Sequence, residues 1–127
     1  MPKQIILTDK APAPIGPYSQ AVLINNTLYC SGQIPLDPKT GAMMQGSIKE
    51  ETEQVMHNIA AILNAAGMNW DHVVKASIFI TDMNNFAAIN EVYGTYFSHE
   101  PPARETVQVS KLPKGANVEI SVIAVAG

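Results

Sequence analysis

Apolar positions along the chain switch between a period of two and a period near 3.6, and the switches mark out the elements. After a short apolar stretch at Ile5 to Leu7, "AVLINNTLYCSG" reads as two short strands. Asn25-Asn26 joins them, and both residues tolerate the positive φ of a tight hairpin. "VVKASIFI", Val73 to Ile80, is rich in β-branched residues and predicts a strand with Val74, Ala76, Ile78 and Ile80 on one side of the pleat. Thr106 to Ser110 and Asn117 to Ala126 predict two closing strands.

Two segments follow the helical period. Val55, Ile59, Ile62, Leu63 and Ala66 recur along one face, preceded by Ser47 and Glu50 at capping-box spacing and followed by Gly67 as a C-cap residue. After "TDMNN", Phe86, Ile89, Tyr93 and Tyr96 or Phe97 mark the buried face of a second helix, which Gly94 weakens by about 1 kcal/mol relative to alanine. Between strands and helices lie turn-rich stretches: "APAPIGPYSQ", whose prolines favour extended loop, and "PLDPKTGAMMQG".

Three short strands, helix, strand, helix and two strands predict a single α/β or α+β sheet without internal repeats. Two helices cover only one face, yet the last strand places Val118, Ile120, Val122 and Ala124 on one side and Ile123 and Val125 on the other. A large apolar sheet face is rare on soluble monomers, so the pattern predicts a homo-oligomer with packed sheets. The alternative is that residues 33 to 47 fold over that face.

Composition narrows the classes. The 127 residues, 46% of them hydrophobic, fit one domain over 1–127 with a substantial core. A net charge of −3, from 8 basic and 11 acidic residues, lacks the positive field that a phosphate backbone requires, so nucleic acid is not an expected partner. The single cysteine, Cys30, permits no intrachain disulfide, and the start "MPKQIILTDK" lacks a signal-peptide core. No apolar run reaches the roughly 20 residues of a membrane helix. A soluble, cytoplasmic protein is expected.

Candidate chemistry is sparse. His57, His72 and His99 show no metal-ligand spacing, and neither a GxGxxG nor a P-loop stretch is present. Cys30, in an apolar strand, reads as a small buried hydrophobe rather than a nucleophile. Ser31 and Gly32 end that strand, where polar groups often meet ligands, although a plain turn serine reads equally well. Glu119 lies between Val118 and Ile120, so its carboxylate is paired, exposed at a rim, or raised in pKa by desolvation. Arg104 is the only arginine beside seven lysines. Its planar fork grips a carboxylate or phosphate in a way that lysine does not.

Three stretches in order, "IGPYSQAV", "SGQIPLDPKTG" and "PPARETVQVSKLPKGANVEI", together with the helices between them, resemble the RidA family (YjgF/YER057c/UK114) nearly end to end. The resemblance implies an α+β, chorismate-mutase-like fold: a single mixed sheet with two helices on one face. It also implies a homotrimer with the sheets facing inward and active sites between subunits. The last strand is then central in the sheet rather than hairpin-paired with the strand before it.

The activity implied is cofactor-independent hydrolysis of 2-imino acids, or their enamine tautomers, to 2-oxo acids and ammonia. By position, Arg104 would bind the substrate carboxylate and Glu119 would position or activate water. Tyr18, Ser31, Gly32, Asn90 and Thr106 would line the cleft. Many members carry cysteine at the place of Thr106 and a second glutamate at that of Ser121; this chain has neither. Two other readings stand beside the deaminase: a non-catalytic trimer that senses small carboxylates, and RNA cleavage or translation inhibition. The second fits poorly with the net charge and the 6% aromatic content.

Overall fold

A computed structural model of the chain describes residues 2–127. β1 (Gln4–Ile6), β2 (Ala21–Ile24) and β3 (Thr27–Gln33) come first, followed by α1 (Ile48–Ala65), β4 (Val73–Ile80), α2 (Phe86–Gly94), β5 (Ala103–Gln108) and β6 (Val118–Val125). Asn25 and Asn26 take φ of 49° and 65°, the left-handed pair that a two-residue hairpin between β2 and β3 demands. Ser47 Oγ accepts from the Glu50 N–H and the Glu50 carboxylate accepts from the Ser47 N–H, closing the capping box of α1. At the other end Gly67 has φ 74°, with Gly67 N–H donating to Asn64 and Met68 N–H to Leu63, a Schellman stop.

The strands form one sheet in the order β1-β2-β3-β6-β4-β5. β6 lies in the centre, antiparallel to β3 and β4, and β5 pairs with β4 in parallel at the edge. The central place of the last strand, expected from the family resemblance, is what the structure has. Both α-helices among the described residues pack on one face: Val55, Ile59, Ile62 and Ile89 meet Leu28, Ile78, Val118, Ile120 and Val122 in one core, all at most 2% exposed. The opposite face stays open, with Ile5, Tyr29, Val107 and Val125 between 39% and 51% exposed in the protomer.

Three details depart from the sequence reading, and the alternative that a loop covers the open face is not what the structure has. Val74 turns outward and Val73 takes its place in the core, because the β4–β6 register slips between Val73 and Lys75 and a one-residue slip exchanges the faces. β5 starts at Ala103, three residues before the expected Thr106, so Arg104 belongs to a strand rather than a loop; parallel pairing of Lys75 with Ala103 recruits it. Residues 33 to 47 do not cover the open face. Buried Asn58 of α1 donates to the carbonyls of Ile34 and Leu36 at 3.3 and 3.0 Å, and these pack with Ala116 at the sheet's end. Gly94 is the last residue of α2, where the interior-glycine penalty does not apply.

The N-terminal loop is ordered by Gln20, which is 1% exposed. Its Oε1 accepts from Thr8 N–H at 2.7 Å, and its Nε2 donates to the carbonyls of Thr8 and Pro12 at 3.0 and 2.9 Å. Replacing Gln20 with leucine would leave these partly buried partners unsatisfied, and a loss of about 3 kcal/mol is expected by denaturant unfolding. A loss below about 1 kcal/mol would mean that the loop is held by other contacts.

Candidate active site

Glu119 follows the first residue of β6 and pairs across the sheet with Phe79, so its side chain belongs to the open face. The β3–β6 ladder is irregular between Cys30 and Gln33, which places Ser31 and Gly32 at a bulge beside it. A Cβ on Gly32 would lie 2.8 Å from the Glu119 carboxyl carbon, so any side chain at 32 would push the carboxylate out of its place beside β3. Partial burial pushes the Glu119 pKa above its ordinary value. Of the three states that the sequence left open for this acid, its partial burial favours the desolvated one.

Around it lies a cleft of about 460 Å³, lined by Tyr18, Ser31, Gly32, Ile34 and Glu119 among others. Ser31 Oγ donates to the Ser19 carbonyl at 2.6 Å, leaving its lone pairs free to accept. Tyr18 Oη accepts from Ile15 N–H at 3.2 Å, which leaves its own proton to donate. Gly32→Ala should therefore displace Glu119 and lower turnover on the order of 10²-fold with the fold intact. Turnover within about twofold of wild type would detach the bulge from catalysis.

Arg104 stands elsewhere. In the β4–β5 ladder Arg104 is opposite Ala76 and Thr106 opposite Ile78, both buried beneath the helices, so these side chains share the helix-covered face. Arg104 Nη1 donates to Asn90 Oδ1 of α2 at 2.6 Å, and the guanidinium carbon lies 5.0 Å from the Tyr93 ring centroid. Asn90, Arg104 and Thr106 line a second, tighter pocket with Ile78, Ile80, Phe86 and Ile89. Thr106 Oγ1 is buried and finds no hydrogen-bond partner among the described residues.

The seven residues singled out by sequence thus form two constellations: Tyr18, Ser31, Gly32 and Glu119 in one, and Asn90, Arg104 and Thr106 in the other. The two pockets share no lining residue. Within one protomer Arg104 and Glu119 lie on opposite faces of the sheet. Sequence reasoning missed Gln20 and the aromatic contacts of Arg104, because neither a buried amide nor a ring beneath a cation has a local signature. Cys30 is buried and its thiol is pushed up to about 12 by desolvation, which suits a packing role. Among the described residues no cluster of histidine, cysteine, aspartate and glutamate could hold a metal ion, and no helix is long and apolar enough to cross a membrane.

Fold and pockets together define a small α+β protein with an arginine pocket and a glutamate cleft on opposite faces of one sheet. The profile of the Endoribonuclease L-PSP family matches residues 8–126, and the chain belongs to that family, the RidA/YjgF family. A RutC family protein of Pyrococcus horikoshii is 52% identical over 122 residues, covering 96% of this chain and 97% of its own. The mouse 2-iminobutanoate/2-iminopropanoate deaminase is 49% identical over 125 residues, covering 98% of this chain and 93% of its own. The crystal structure of E. coli TdcF with bound serine matches at TM-score 0.93 and 41% identity, over 98% of this chain and 99% of that one.

Proposed function

We propose that the protein hydrolyses 2-imino acids such as 2-iminobutanoate and 2-iminopropanoate, and their enamine tautomers, to 2-oxo acids and ammonia. The observation that carries this reading is the division of the site. A carboxylate anchor and a desolvated acid, each with its own supporting residues, lie on opposite faces of one protomer. A second copy set with its β5 edge against the open face would bring its Arg104 pocket to the first protomer's Glu119 cleft. A homotrimer joined in this way, edge to open face, would hold three such sites and cover the exposed Tyr29, Val107 and Val125.

In that cleft the guanidinium fork of Arg104, braced by Asn90, would take the substrate carboxylate, with the Thr106 hydroxyl or its amide beside it. The imine carbon is already an electrophile, so no cofactor is needed. Glu119 takes a proton from water as the water oxygen bonds to the carbon of the protonated imine and the C=N π pair moves to nitrogen, giving a neutral carbinolamine. The same carboxyl then gives that proton to nitrogen, the C–N bond breaks as the C=O bond forms, ammonia leaves, and the hydroxyl proton passes to the Glu119 carboxylate, which releases it to solvent or ammonia. An acid with a raised pKa exchanges protons readily in both directions. Tyr18 and Ser31 would hold the nitrogen and the developing hydroxyl.

The mouse relative's name supports this activity, and the serine bound to TdcF is a small molecule bearing the carboxylate that Arg104 would grip. The family's description as an endoribonuclease favours a second reading, but the net charge of −3 offers no phosphate-binding field. A regulatory trimer that only binds carboxylates would need the cation but not the desolvated acid.

The test is imine decay in an assay coupled to threonine dehydratase. Arg104→Lys should lose at least about 2 kcal/mol of transition-state binding, roughly 30-fold in kcat/KM. Unchanged imine decay with wild-type protein, alongside cleavage of single-stranded RNA, would replace this reading with the second.

A further inference from the structure

Arg104 lies on edge strand β5, where a long side chain would ordinarily sample many rotamers. Here α2 holds it from one side. Phe86, Asn90 and Tyr93 recur at helical spacing and so share a helix face. The guanidinium carbon is 5.7 Å from the Phe86 ring centroid and 5.0 Å from that of Tyr93, while Asn90 takes one N–H. Both distances lie within the range over which a ring face attracts a cation.

Tyr93 is itself fixed. It is 5% exposed, and its ring packs 4.9 Å from Phe97, which meets Trp70 at 5.4 Å, which in turn meets Tyr96 at 5.2 Å. Its hydroxyl is buried and has no hydrogen-bond partner among the described residues. The hydroxyl therefore does not orient the ring; packing does, and the ring's face is what meets the arginine.

We infer that Tyr93, together with Phe86, is a positioning residue that fixes the Arg104 guanidinium in plane, so that the N–H groups not used by Asn90 await a planar carboxylate. This rests on the carboxylate-binding role proposed above for Arg104. Pre-arrangement matters because a fork that must first be ordered binds more weakly than one already aligned.

A chain with one arginine makes the test direct, since its guanidinium Nε–Hε group gives a single NMR signal. In wild type and in Tyr93→Phe, which keeps the ring, that group should be rigid on the picosecond–nanosecond scale. In Tyr93→Leu its order parameter should fall below about 0.6. In the imine assay Tyr93→Leu should raise KM about tenfold with kcat changed less than about threefold, and Tyr93→Phe should restore KM relative to Tyr93→Leu.

A rigid arginine in Tyr93→Leu, or a Tyr93→Phe variant as impaired as Tyr93→Leu, overturns the inference. Should Tyr93→Leu fail to fold, Phe86→Leu, at a position 39% exposed, carries the same NMR and KM measurements with a smaller expected loosening. An arginine loosened by these substitutions in a protein that turns over no imine would uphold the positioning and refute the deaminase instead.

Discussion

Protomers bearing Arg104→Ala and protomers bearing Glu119→Gln should each be nearly inactive alone, yet an equimolar mixture unfolded and refolded together should recover about a quarter of wild-type activity. The expectation follows from the sheet. Arg104 shares a face with Ala76 and the helices, Glu119 shares the other with Phe79, and their pockets have no residue in common. If a site takes its arginine half from one protomer and its glutamate half from the next, random assortment leaves about one site in four with both halves native. Mixing without subunit exchange should recover nothing. An inactive refolded mixture that nonetheless assembles would put both residues of a working site on one chain and sink the intersubunit arrangement.

Glu119→Gln should lower kcat on the order of 10²- to 10⁴-fold, the usual contribution of a positioned general acid–base group, while KM changes little because Arg104 still holds the substrate. Wild-type kcat/KM should fall on the acid side of a pKa above the ordinary carboxylate range, since burial raises Glu119 and only its ionised form accepts the proton of water. That acid limb should vanish from the residual activity of the glutamine variant.

Stability should move the opposite way. Between the ordinary carboxylate pKa and the raised folded value, the folded chain binds a proton that the unfolded chain does not, so stability declines as pH rises through that window and stays lower above it. Glu119→Gln should therefore melt higher than wild type at neutral pH, and the difference should close below the ordinary carboxylate pKa. A variant that melts lower at neutral pH would mean that the carboxylate is stabilised by partners rather than desolvated.

Local chemistry carried most of the secondary structure. Ser47 with Glu50, Gly67, and Asn25-Asn26 each satisfy a backbone requirement within a few residues, so the helix start, its stop and the hairpin were legible from neighbours alone. The start of β5 was not legible: Ala103 and Arg104 have no strand-forming side chains of their own and become strand because β4 offers them a parallel ladder. Val74 faces outward, against the expectation from its alternation, for a related reason: a register slip is a property of two strands together.

The chain by itself determined which residues are chemically unusual: a lone arginine among lysines and an acid between Val118 and Ile120. Its resemblance to one family proposed a task for both. Only the tertiary structure decided where they stand, because the sheet order places β6 between β3 and β4 and β5 at the edge, a pairing that no local sequence encodes. That order puts Gly32 under Glu119, Tyr93 beside Arg104, and the two charged groups on opposite faces. Successive side chains of a strand alternate between faces, and sheet register, not sequence distance, sets which of them can share a pocket.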